Sequence, residues 1–472
     1  MKRYFFFFVL IFFAIQKIVV LSGCANIIPP QGGPRDSLPP LLLKADPVDS
    51  SRNFSDTRIT FSFDEYVDIQ DVYNNLLVSP LPKNLPTVDY KLRTVTVKLK
   101  DTLEKNTTYT LNFGDALRDV NEGNIYKNFT YTFSTGSYLD SLELSGKVLL
   151  AENGRTDTTL IVMLHTSADD SIVVKEKPRY ITKLDGKGRF HFKNLPPQTF
   201  YIYALKDEGN TRRYLSGKQL FGFTDKPVDM QAKKDSLTLY AYIAKRDKQA
   251  VSSQPSATAQ KPRAGAAADN RLKFSNNLAN GQQDLLGSFE MVSDKPLKVF
   301  DTSKIRLFTD SAFNPAAGYS FAKDSTGKKI LLNITWQEGT QYHVVMDKDF
   351  AEDSTGKKLF RTDTLSFTTK KKSDYGTVKL KLRNLDLTKN PVLQIMNGEN
   401  IFKSTTMTSA EFNSPMFLPG EYELRILFDN NKNGNWDPGD FFGKHIQPEL
   451  VLPIERKITV KANWQNEVEI AL

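Results

Sequence analysis

One run holds the densest oxygen chemistry in the chain: Asp429-Asn430-Asn431-Lys432-Asn433-Gly434-Asn435-Trp436-Asp437-Pro438-Gly439-Asp440. Asp429, Asn431, Asn433, Asp437 and Asp440 take positions one, three, five, nine and twelve of that run, with Gly434 at six. A hard divalent cation needs many oxygens. The alternation aims every second side chain at one centre, glycine permits the sharp turn between them, and Asn435 can add its backbone carbonyl. Calcium suits this donor set. Two departures weaken it: Asn431 and Asn433 are neutral, and Asp440 is shorter than the glutamate that chelates with both oxygens. The expected dissociation constant is about 0.1 to 1 mM, that of an extracellular module. The alternative is a hairpin tip whose Asn, Asp and Gly residues make Asx turns without metal.

The spacing resembles the calcium loop of EF-hand proteins. Its flanks, residues 424–428 and Phe441-Phe442, read as strands, so the expected element is a loop between strands and any calcium would be structural. An earlier stretch begins similarly, Asp207-Glu208-Gly209-Asn210, but Arg212-Arg213 stand where ligands should be. That copy is not expected to bind the ion.

Cys24 is the second residue with distinctive chemistry, as the chain has no other cysteine. Lys2 and Arg3 precede a nearly unbroken apolar run from residue 4 to 15, the layout of a secretory signal. Gln16 and Lys17 interrupt the run before it could span a bilayer, which argues against the alternative of a plain signal anchor. Leu21-Ser22-Gly23-Cys24 resembles the bacterial lipobox, and that resemblance implies cleavage before Cys24 and a covalent lipid such as palmitate on it. Residues 1–23 are therefore read as a cleaved signal peptide, and residues 24–37, rich in Pro and Gly, as an extended tether. Ala25 and Asn26 carry no aspartate-type retention cue, so the expected location is the outer membrane of the cell envelope, on either its periplasmic or its surface face.

Composition excludes several classes. The formal charge of +9 falls by three once Lys2, Arg3 and Lys17 are removed, and the remaining cations are interspersed with nearly as many acids, so no nucleic-acid partner is expected. A single cysteine leaves no disulfide staple, and the domains must stand on apolar burial. No phosphate loop, nucleophile elbow or zinc-protease helix occurs. His165, His191, His343 and His445 are far apart, with His191 and His343 expected to face solvent. The chain is not expected to be an enzyme.

The positioning elements are strands. In Arg58-Ile59-Thr60-Phe61-Ser62-Phe63, apolar and polar residues alternate with period two, and the pattern returns at residues 95–99, 109–113 and 129–133. Residues 61–68, 103–109 and 129–135 resemble the SbsA-type bacterial Ig-like domain over residues 38–136, a family of sandwich modules without catalytic residues of their own. Asp185-Gly186-Lys187-Gly188-Arg189-Phe190, Leu195-Pro196-Pro197 and Phe200-Tyr201-Ile202-Tyr203-Ala204 resemble a CnaB or carboxypeptidase-regulatory, prealbumin-like domain over residues 139–245, with the glycines expected to turn a hairpin.

Residues 246–271 bury too little to fold and read as a flexible linker that lets the two halves reorient. Beyond it the first half repeats. Residues 342–346 and 364–369 echo 109–113 and 129–135, and Leu418-Pro419-Gly420-Glu421-Tyr422 echoes Leu195 onward. The expected fold is all-β: four tandem β-sandwich modules, Ig-like, prealbumin-like, Ig-like (272–372) and prealbumin-like (374–472). The expected role is a non-catalytic, lipid-anchored envelope scaffold. The alternative is a glycan- or protein-capturing component of an uptake or secretion assembly, with exposed aromatics such as Trp336 or Trp464 lining a groove. Trp336, though, shares a face with Ile330, Leu332 and Ile334.

Overall fold

The computed structural model describes residues 35–232, 236–244 and 271–472. The signal segment, Cys24 and nearly all of the tether and linker lie outside them. The described chain is strands and loops with a few single-turn helices, and its apolar interior divides into separate clusters within residues 54–133, 144–241, 272–367 and 378–470. These are tandem β-sandwiches.

In the first segment, period-two alternation does what it predicts: Ile59, Phe61 and Phe63 are all buried while the residues between them are not. Strand Arg58–Phe63 lies between Leu42–Asp46 and Thr94–Lys98, and Thr87–Lys91 completes a four-stranded sheet. Facing it, Thr108–Asn112 pairs with Leu77–Ser79 and Thr130–Ser134. Aromatic rings fill the space between the sheets. Phe61 meets Phe113, Phe129 and Tyr131 edge-on at 5.0 to 5.9 Å between ring centres, each such pair adding about 0.5 to 1.5 kcal/mol beyond area burial.

The third segment repeats this topology. Phe274–Asn276, Phe289–Ser293, Lys329–Asn333 and Ser320–Lys323 reproduce the four-stranded order, and Ile305–Thr309, Gln341–Met346 and Asp363–Thr369 reproduce the facing sheet. Even the side ribbon recurs: Val67–Ile69 with Leu117–Asp119 in the first segment, Leu297–Phe300 with Ala351–Asp353 in the third. Trp336 packs against the interior with Tyr342 and Phe367, as its shared face with Ile330 and Leu332 implies.

The second and fourth segments are also copies of each other. In the second, Leu142–Leu150 pairs antiparallel with Arg189–Leu195 and parallel with Leu237–Ile243. In the fourth, Gly376–Arg383 pairs antiparallel with Glu411–Phe417 and parallel with Gln465–Ala471. Gly186-Lys187-Gly188 does turn the chain as expected, with the N–H of Asp185 on the C=O of Arg189 at 2.8 Å, but no strand ladder extends beyond the turn. Tyr180–Lys183 and Arg189–Leu195 lie at opposite ends of one curled sheet, so the turn bridges ends and does not join neighbours. Asp185 closes it by accepting the N–H groups of Lys187 and Arg189, both at 2.8 Å.

One feature of the second segment organises the molecule: its central strands are apolar on both faces. Val162, Leu164, Ile202 and Ala204 point into its own interior. Met163, Tyr203, Leu205, Phe221 and Phe223 form a second cluster on the outer face. Strands covered on both faces read as continuous apolar runs, and Ile161-Val162-Met163-Leu164 and Phe200-Tyr201-Ile202-Tyr203-Ala204-Leu205 are such runs.

Candidate functional site

Strand Gly420–Phe428 delivers Asp429 to the start of the oxygen-rich loop, where it is 2% exposed. Its carboxylate is spent on the loop's own backbone. Oδ1 accepts the N–H of Asn433 at 3.2 Å and Oδ2 that of Gly434 at 2.7 Å. Gly434, at φ +78°, occupies the left-handed conformation its type permits. Asn431 and Asn433 make Asx turns to Asn433 and Asn435, and both donate their Nδ2 groups to Asp437 Oδ2 at 2.6 Å. Thus the structure brings Asp429, Asn431, Asn433, Asn435 and Asp437 together.

It does not bring in Asp440. That residue exchanges backbone hydrogen bonds with Ile446 and accepts the N–H of Gly443 at 3.0 Å, closing a separate turn. Among the described residues, no three His, Cys, Asp or Glu side chains converge to hold a metal ion. As arranged, then, the loop is closed by hydrogen bonds and the donor set does not form a ready cage. The strand expected at Phe441-Phe442 is also absent. The connection runs on to Leu450, because residues 440–446 turn back on themselves.

Sequence reading missed Glu449. At 5% exposure it accepts the N–H of Asn430 at 2.7 Å and of Asp437 at 3.0 Å, tying the two ends of the loop, while its own C=O receives Trp436 Nε1 at 2.7 Å. Burial pushes its carboxyl above the ordinary range, against the pull of those N–H donors. An acid directly before the apolar strand Leu450–Val460 was the signal available.

The same device recurs in the repeat. Asp207 accepts the N–H groups of Thr211 and Arg212, four and five residues on, as Asp429 does. Asp119 accepts those of Glu122, Gly123 and Asn124, and Asp353 those of Thr355 and Lys357. For Asp429→Ala we expect a loss of about 2 kcal/mol in urea unfolding of the full chain, since two loop donors lose their acceptor and part of that loss is recovered from water. Asp429→Asn, which keeps one acceptor, should lose about half as much.

The chain just past the loop docks on the second segment. Phe441, 4% exposed, enters the outer-face cluster with ring centres 5.6 Å from Tyr203, 5.1 Å from Phe221 and 5.0 Å from Phe223. His445 Nε2 meets Asp170 at 2.5 Å, and Gln447 donates to the C=O of Phe223 and to Asp225. Nearby, Val451 N–H reaches the C=O of Ala151 at 2.9 Å, and Arg155 pairs with Glu399 and Glu423. The freely reorienting halves expected from the linker are therefore corrected by a shared core, whose covering aromatic lies almost 200 residues beyond the linker's start. A second correction concerns His343, which is 5% exposed. It does point away from the interior, but Phe313 stacks on it at 4.4 Å and Ser366 bonds its Nδ1 at 2.7 Å. His191 is on the surface as expected, bonded to Ser145.

This architecture is a string of β-sandwiches whose polar loop residues serve loop closure. Residues 36–135 match the family model described as the bacterial Ig-like domain. No curated protein matches the chain. Solved structures similar to it include the Bacillus anthracis TIE protein, at 10% identity and TM-score 0.17 over 94% of this chain and 75% of that one. The N-terminal part of the bacterial S-layer protein SbsC is 17% identical at TM-score 0.16, over 35% of this chain and 40% of that one. BcpA, the major pilin subunit of Bacillus cereus, is 8% identical at TM-score 0.16, over 71% and 99%. At that identity and score, none bears on activity or partners.

Proposed function

We propose that the chain is a non-catalytic, lipid-anchored scaffold of the cell envelope, built of four modules in the order Ig-like, prealbumin-like, Ig-like, prealbumin-like. The observation that carries this reading is the use of its carboxylates: Asp119, Asp207, Asp353 and Asp429 all close their own loops. Such groups hold shape and are not free to move protons on a substrate. Anchoring rests on Cys24 and the apolar run before it. Cys24→Ala should abolish labelling by a palmitate analogue and leave the unprocessed chain, with residues 1–23 still attached, as the membrane-bound form; a variant that stays in the membrane pellet with no unprocessed form overturns the anchor. Proteolysis of intact against permeabilised cells reports the face, since cleavage within residues 246–271 on intact cells places the modules outside.

Calcium at the 429–440 loop is a separate proposal that rests on donor spacing alone. It would need the Asn431 and Asn433 amides turned so that oxygen replaces nitrogen toward the centre. At a dissociation constant of about 0.1 to 1 mM, about 1 mM calcium stabilises the full chain by about 0.4 to 1.4 kcal/mol. The melting temperature should rise with calcium and fall back with chelator, and Asp437→Asn should cancel the response. An unchanged melting curve leaves the metal-free clasp.

A further inference from the structure

A groove of about 850 Å³ runs between the first and second segments, and its lining carries an imbalance of charge. Lys83 and Lys100 stand on one wall, and Lys175, Lys177, Arg179 and Arg213 on the other, against only Asp101, Glu104 and Glu176. Glu104 is engaged by Arg179 through two hydrogen bonds at 3.0 and 2.7 Å, and Asp101 lies beside Lys83. That leaves Lys100, Lys175, Lys177 and Arg213 facing the groove with Glu176.

A second observation is independent of charge. Among the described residues, six buried side-chain polar atoms lack a hydrogen-bond partner, and two of them, His165 Nε2 and Arg213 Nε, belong to residues lining this groove. His165 is 2% exposed. Leaving a buried polar atom unpaired costs about 1 to 3 kcal/mol, and such atoms often mark a place where a missing partner belongs. The lining also includes the apolar side chains of Pro80, Leu81 and Leu103.

We propose that this groove binds an acidic saccharide, a short run of uronic acid units. Cations on both walls suit carboxylates that project from both sides of such a chain. The apolar side chains accept the C–H faces of the sugar rings, and Lys100, Lys175, Lys177 and Arg213 meet the carboxylates. A peptide fits less well: where the two segments meet, the N–H of Leu81 already bonds the C=O of Arg179 at 2.7 Å, so that backbone edge is taken and offers no ladder for an added strand. The site stands on this geometry and does not depend on the scaffold reading.

The test is titration calorimetry of the full chain with trigalacturonate, with maltotriose, inorganic phosphate and hexaglutamate as comparison probes. Trigalacturonate should bind, weaken several-fold as salt rises from about 0.05 to about 0.5 M, and weaken at least tenfold in the double variant Lys175→Ala/Lys177→Ala. Both lysines are exposed, so that variant should fold. A second double variant, Lys379→Ala/Lys381→Ala in the fourth segment, should bind as the parent does. The inference is overturned by no heat at about 10 mM trigalacturonate or by equal heat from maltotriose. It is overturned equally by phosphate or hexaglutamate binding as tightly as the uronate, or by unchanged affinity in the groove variant.

Discussion

Replacing Phe441 by alanine should cost about 3 to 5 kcal/mol, the range for removing a fully buried aromatic from a packed interior. The ring is surrounded by Tyr203, Phe221, Phe223, Phe442 and His445, and its loss opens a cavity on the outer face of that sheet. The consequence is larger than the number. Phe441 belongs to the fourth segment and its pocket to the second, so its removal uncouples the halves as well as destabilising them. Thermal unfolding of Phe441→Ala should split into two transitions where the parent shows one, and the radius of gyration in solution scattering should grow. Phe442→Ala, at a half-exposed ring, should do neither. A single transition at an unchanged midpoint for Phe441→Ala would remove the shared core from the account.

The second large effect is acid sensitivity through His165. Burial pushes its imidazole down to about 4, from an ordinary value of 6.5. The sign follows from linkage. Below pH 6.5 the unfolded chain takes up a proton that the folded chain refuses, so the stabilisation is complete above 6.5. It is lost as pH falls toward 4, and level below that. A shift of this size corresponds to about 2 kcal/mol lost by pH 5 and about 3 kcal/mol by pH 4. His165→Leu should flatten that limb, and the comparison of urea midpoints at pH 7.5 and 5 isolates it. At pH 5 the carboxylates that the fold holds below their ordinary range, Glu104 beside Arg179 for one, have lost only a small part of their contribution. Equal pH dependence in parent and variant would show that the ring is hydrated in the folded state.

Much of this was legible in the residues. Ile59, Phe61 and Phe63 announce a one-sided sheet because side chains on a strand alternate strictly, and the second pair of segments was detectable because Leu418-Pro419-Gly420 repeats the corner at Leu195-Pro196-Pro197. The oxygen run at 429–440 was found, and five of its six singled-out residues do gather in one loop. What could not be read was where the loop's acceptors would be satisfied. Asp440 has the right spacing for a ligand, but its orientation is set by the turn to Ile446, a tertiary matter. The docking of Phe441 was hidden for the same reason: adjacent Phe441 and Phe442 look alike in sequence, and only the outer face of a distant sheet distinguishes them. The doubly apolar strands at 161–165 and 199–205 were the available clue, since a sheet with one solvated face has no use for Met163 or Tyr203. Composition reads residues 246–271 as unable to fold, and nearly all of them lie outside the described residues; a connection of that kind does not prevent its two ends from being fixed by other contacts.

In the second segment, Leu142–Leu150 and Leu237–Ile243 are the first and last strands, and they run parallel, side by side. Parallel pairing puts the chain's entry to this segment at one end of the pair and its exit at the other. A pull on the chain therefore drags the two strands lengthwise past each other, and every hydrogen bond between them carries the load at once, instead of parting one by one like a zip. Gly376–Arg383 and Gln465–Ala471 repeat the arrangement. For a chain tethered at one end to a surface, these two pairs would be the elements that take mechanical tension, set by strand direction and not by the number of bonds alone.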